Sequence, residues 1–315
     1  MPRSALPRPH GRPFHALPTI TRGPEPVEGI TLLDEVAGDV GVVLWQSLRN
    51  VLLWARAPAG ERGALFSDAA AERRVRILGA VPLDEALRGP VAAVADLLAC
   101  PAGARPEPIA RACEAVSRWA EARHAPATAL AFMQAAALAQ PGNAALACAV
   151  GRLARRNGEP VRAEGWLHLA VVLARRTGDW TAYARAFLGL GNLALQHGNL
   201  PRARRMHRRA LTAARRHRLH AVEAQALHDL FVSAAETGSD DEAREAAAGA
   251  LAAYGPDHPR LPALAADVAC FWTARGEFAR AAPVLRAAAP HFADPAERAV
   301  VLANWARAAG GVGDA

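Results

Sequence analysis

The stretch 189–211, GLGNLALQHGNLPRARRMHRRAL, holds residue types for more than one kind of chemistry. Gly189, Gly191 and Ala194 match the relaxed G-x-G-x-x-A fingerprint, which cradles a pyrophosphate when a strand precedes it and a helix begins in it. Here the residues before it, DWTAYARAFL, are helical in pattern, so the context that a dinucleotide needs is absent. The arginines that follow, Arg202, Arg204, Arg205, Arg208, Arg209, Arg215, Arg216 and Arg218, carry bidentate anion chemistry and could face RNA, DNA or an acidic partner. No aromatic side chains interleave with them to stack bases. His217 and His220 lie among these arginines, where the neighbouring positive charges discourage a metal ion.

Other catalytic signatures are missing from the chain. There is no HExxH, no GxxxxGK[ST], no GxSxG and no Cys/His spacing for a metal. No catalytic residue, metal site or cofactor is therefore expected, and the chain is expected not to be an enzyme. His124, His168 and His228 read as helix-surface or satisfied core residues. Cys100, Cys113, Cys148 and Cys270 sit far apart in Ala/Leu/Val-rich contexts and read as small buried hydrophobes in a reducing compartment. Asp34, Glu35 and Asp39 form an acidic cluster expected to mark the start of the first helix.

The elements that must position these residues follow from composition and periodicity. The chain is 52% hydrophobic, mostly Ala and Leu, with 5% aromatics, which favours helix over strand. An all-α protein is expected. The net charge is +7, but all 37 basic residues are Arg and none is Lys. Such one-sided usage points to a coding bias as much as to a phosphate-binding surface, and it halves the weight of the basic balance as functional evidence. Residues 1–29 carry seven prolines and little apolar periodicity, and are expected to be a disordered extension. From Ile30 a helical pattern begins, with helices starting near Ser67 or Asp68 and near Pro82, so that 30–108 reads as an irregular helical cap. No signal peptide is visible, and the apolar run at 40–55 is broken by Gln46, Ser47, Arg49 and Asn50. A soluble, cytoplasmic protein without membrane contact is expected.

Beyond residue 108 the chain repeats. Gly151, Ala154, Gly158, Ala163 and Ala170 recur as Gly191, Ala194, Gly198, Ala203 and Ala210, and then as Ala234, Gly238, Ala243 and Ala250. Trp272, Gly276, Ala281 and Ala288 continue the frame, and Ala120, Ala129 and Ala136 precede it. With Phe187, Leu190 and His207 added to the best copy, this pattern resembles the tetratricopeptide repeat family. The resemblance spans 109–315 in five copies plus the first helix of a sixth. It implies a right-handed α-solenoid of antiparallel helix pairs, with small residues where helices approach and Gly198–Asn199 as turn and helix cap. Ala stands at the usual aromatic eleventh position in four copies, and three intervals exceed the standard period.

The same resemblance implies a protein-interaction scaffold that binds a peptide or protein in a concave groove lined by first helices. Carried over residue by residue, groove positions fall on Arg111, Glu114, Arg118, Arg152, Arg155, Arg156, Arg185, Asn192, Gln196, Gln225 and His228. Asn192 would bond a peptide backbone or terminus, and Arg152 and Arg155 would favour an acidic or C-terminal segment. Ala203, His207, Ala210, Leu211 and Ala214 would face inward, leaving Arg202, Arg205, Arg208, Arg209 and Arg216 as a basic patch on the convex side. Nucleic-acid binding through that patch is the alternative function, and a sensor part of a larger regulator is a third. The sequence stops one helix into the sixth repeat, so an incomplete chain or a covering molecule at that end is expected.

Overall fold

A computed structural model describes residues 26–313. Every regular element among them is helical, as the Ala/Leu-rich, aromatic-poor composition predicts. The helices are α1 (Pro26–Glu35), α2 (Gly38–Arg56), α3 (Asp68–Ala80), α4 (Glu85–Ala99), α5 (Pro106–Ala122), α6 (Pro126–Ala139), α7 (Ala144–Arg156) and α8 (Pro160–Thr177). They continue as α9 (Trp180–Gln196), α10 (Leu200–Arg216), α11 (His220–Glu236), α12 (Asp240–Tyr254), α13 (Leu261–Ala274), α14 (Phe278–Ala288) and α15 (Pro295–Val312). Short 3₁₀ turns lie at Ala59–Ala64 and Ala289–His291. The expected repeat array from residue 109 onward falls on α5 to α15.

The boundaries differ from the sequence reading in three places. The expected extension 1–29 lies outside the described residues up to 25, but 26–29 already belong to α1. The helix expected from Pro82 starts at Glu85, because Asp84 takes the N-cap and accepts from the Ala86 amide at 3.1 Å. Asp34 and Glu35 end α1 rather than begin it, and only Asp39 sits in a first turn, that of α2.

Glu35 has a different task. Its two carboxylate oxygens accept the Ala127 and Thr128 amides, at 2.8 and 2.7 Å, at the start of α6. Orphan amides at a helix N-terminus favour an anion, and here it arrives from a residue more than ninety positions away. Glu35→Ala is expected to destabilise the chain by about 1–2 kcal/mol, read as a lower urea midpoint. An unchanged midpoint would show that water replaces the carboxylate without loss.

The chain forms two compact units, one up to Ala182 and the other from Tyr183. In the first, α2 packs on α4 and α6, α3 on α4, and α5 through α8 stack in sequence. Trp54 is fully buried and its indole N–H donates to the Pro101 carbonyl at 2.8 Å. Helix α7 approaches α8 closely at Gly151, where a Cβ would stand 2.6 Å from Leu167 Cγ. In the second unit, α10 through α15 stack in sequence, with Ala203, Ala210, Ala214, Ala243, Ala250 and Ala281 sealed between them. Asn199 caps α10 through the Arg202 amide at 3.2 Å, and Gly198 supplies the left-handed turn before it at φ 68°. Both roles match the sequence reading.

Candidate binding faces on the first helices

In the first unit, α5 places Arg111 and Arg118 seven residues apart, on one side of the helix and exposed. The carboxylate of Glu121, at the end of the same helix, receives Arg156 of α7 at 2.8 Å and Arg152 at 3.8 Å. Arg152 is thus exposed and only loosely held. Arg155 is half-buried and Glu114 is half-buried.

In the second unit the groove positions divide. Arg185 and Gln196 of α9 are exposed and Gln225 of α11 is half-buried. Asn192 is not presented to solvent as a free amide: its Nδ2 donates to Asp229 Oδ2 at 3.3 Å, and its Oδ1 accepts from His207 Nε2 at 3.2 Å. His228 departs further from its expected place, being 6% exposed, with Nε2 donating to Asp267 Oδ2 at 2.9 Å and Nδ1 3.3 Å from the Tyr254 hydroxyl. The reason is packing: α11 lies between α10 and α12 and also meets α13, so a groove position carried over by alignment becomes core. Arithmetic on the repeat frame found Asn192 and His228 but missed their partners Asp229, Asp267 and Tyr254. One signal was available, since Asp229 and Asp267 open the aligned segments DLFVSAAE and DVACFWTA.

His207 of α10 occupies the notch left by Gly191 of α9. A Cβ on Gly191 would overlap the His207 ring. The ring has no exposed surface, and Nδ1 lies 3.2 Å from Ser233 Oγ, whose one hydroxyl proton can go either to that nitrogen or to the Leu230 carbonyl at 3.0 Å. Burial pushes the imidazole down to about 4, against the opposing pull of the Asp229 backbone carbonyl, so it is neutral at pH 7. Ser233, His207 and Asn192 have the residue types of a nucleophilic triad, yet Ser233 and His207 are both sealed from solvent. Burial likewise raises the Cys113 thiol to about 12, which makes it inert. Cys100, expected to be buried, is exposed at the end of α4 instead, whereas Cys148 and Cys270 are half-buried.

The arginines of α10 do not form an undivided positive face. Arg204 and Arg208 both meet Glu242 of α12, Arg208 Nε at 2.8 Å, and Arg215 meets Glu223 of α11 at 3.0 Å. Arg209 lies over the Phe187 ring at 5.7 Å. Arg205 and Arg216 are exposed, and Arg202 is half-buried near the helix start. The dinucleotide reading of 189–194 fails on geometry, because these residues lie inside the second half of α9, preceded by helix where the fingerprint needs a strand and a turn. Among the described residues no group of His, Cys, Asp or Glu is arranged to hold a metal ion, and no helix is long and apolar enough to cross a membrane.

The tetratricopeptide repeat family matches this chain over residues 142–216, which takes in α7, α8, α9 and α10. Residues 142–216 are tetratricopeptide repeats. The matched stretch is the one in which Gly151 and Gly191 mark the close approaches and Asn199 caps the second helix of its pair. As tetratricopeptide repeats, these helices constitute a helical-repeat scaffold of the kind that typically binds proteins or peptides. No curated protein matches the chain. Among solved structures, the crystal structure of BtubC (BKLC) from P. vanneervenii is similar at a TM-score of 0.41 and 16% identity, over 71% of this chain and 84% of that one.

Proposed function

We propose that this chain is a non-catalytic scaffold whose first-helix face in the first unit binds an acidic or C-terminal segment of a partner protein. The observation that carries the reading is the state of Arg152. Glu121 is already satisfied by Arg156 at 2.8 Å, so the 3.8 Å contact to Arg152 is weak and a ligand carboxylate can take its place. Arg111 and Arg118 stand exposed on the neighbouring first helix and supply further guanidinium donors. In the second unit, Arg185, Gln196 and Gln225 are the side chains left to contact a partner, since Asn192 and His228 are engaged internally.

The test compares the full chain with an Arg111→Glu, Arg118→Glu, Arg152→Glu variant. Each is immobilised, and partners are captured from nuclease-treated lysate at two salt concentrations. A partner retained by the wild type at moderate salt and weakened tenfold or more, the order expected from losing charge-assisted bonds, supports the reading. Equal capture by the variant overturns it. Binding that disappears with nuclease and falls steeply with salt would instead favour nucleic acid on Arg205, Arg209 and Arg216.

A further inference from the structure

Two histidines lie in the core of the second unit, on successive helices, and their surroundings differ in one decisive respect. His228 of α11 touches a carboxylate: Nε2 meets Asp267 Oδ2 of α13 at 2.9 Å, and Asp267 is half exposed to solvent. On its other side are Tyr254 of α12, with His258 stacked on Tyr254 at 4.2 Å, and Arg260 in the turn that follows. Asp229 is its neighbour on α11. The Asp267 carboxylate thus lies in direct contact with the His228 ring.

His207 of α10 touches no carboxylate. Helix α9 presents Gly191 and the Asn192 amide to it, and α11 presents the Ser233 hydroxyl and the Asp229 backbone. The Asp229 carboxylate is linked to it through the Asn192 amide. The charged arginines of its own helix, Arg204 and Arg208, turn to Glu242 on α12. An imidazolium here would be sealed at 0% exposure with neutral partners, and the Gly191 notch leaves no room for the ring to swing toward solvent.

We infer that the second unit contains a directional acid-sensitive device: protonation opens the α9–α10–α11 packing at His207 while the α11–α13 contact at His228 holds. The opening releases Asn192 and thereby alters the polar face of α9. Neither step depends on which partner the chain binds.

Amide hydrogen exchange of the full chain across a pH series, corrected for the intrinsic rates, reads the device directly. Protection of α9 and α10 is expected to fall about tenfold per pH unit below roughly 6.5, the slope of one-proton linkage, while α13 and α14 change far less. His207→Gln, which keeps hydrogen-bonding groups and cannot titrate in this range, is expected to flatten that slope. Loss of protection that is uniform over the second unit, or an unchanged slope in His207→Gln, overturns the inference. Should that variant fail to fold, the imidazole resonances of the wild type decide: protonation of the His207 ring that tracks the loss of protection in α10 supports the device, and a ring that titrates at the ordinary value with α10 undisturbed, or an α10 that opens while the ring stays neutral, refutes it.

Discussion

Gly191→Ala is expected to destabilise the second unit by about 1–3 kcal/mol, although alanine is the better helix former by about 1 kcal/mol. The added methyl would enter the His207 ring, which is held in place by Asn192 and Ser233. The ring cannot retreat without breaking both bonds deep in a sealed core, so the steric cost exceeds the propensity gain. Gly310 in α15 provides the control, because nothing lies within 4 Å of its missing Cβ. Gly310→Ala should raise stability by about 0.5–1 kcal/mol. Urea unfolding of both variants and of the pair Gly191→Ala with His207→Ala would check the mechanism: the two substitutions should couple, with the second relieving part of the cost of the first. Additive effects would locate the strain elsewhere.

The stability of the chain is expected to fall as pH drops from about 6.5 toward 4, by up to about 3 kcal/mol in full, through His207 alone. In that window the unfolded chain binds a proton that the folded chain, with its imidazole held down to about 4, does not. The stabilisation is therefore complete above the ordinary histidine value and lost on acidification. Other groups act in a lower range. Asp84, held below the usual carboxylate range by the Ala86 amide and the Trp119 indole, and Asp240, held there by Arg275, give up their contributions only as they protonate. Unfolding free energies at pH 7.5 and 5 should differ by about 2 kcal/mol in the wild type and much less in His207→Gln. Parallel pH profiles for the two proteins would remove His207 from the account.

This chemistry also changes what Asn192→Ala means. Read from the repeat frame, Asn192 is a ligand-binding amide whose loss leaves the fold untouched. In the structure its removal strands the His207 Nε2–H in the core, so a loss of binding in that variant carries a loss of stability with it. Arg111, Arg118 and Arg152 are the cleaner test because they are exposed.

The sequence by itself determined the helical fold with its packed consecutive helices, the glycine turn and asparagine cap at 198–199, and the inward set from Ala203 to Ala214. These are local or periodic properties: small residues recurring near forty positions apart can satisfy only a stack of close-packed helix pairs, and caps are written within a few residues of the ends they close. The tertiary structure alone decided which polar groups are spent inside. Glu35 on the α6 N-terminus, Glu242 on the arginines of α10, Asp229 on Asn192 and Asp267 on His228 all join residues more than thirty positions apart. A side chain's type and helical phase say which face it occupies, but a buried polar atom must find a partner across the packing, and that partner exists only once the helices are stacked.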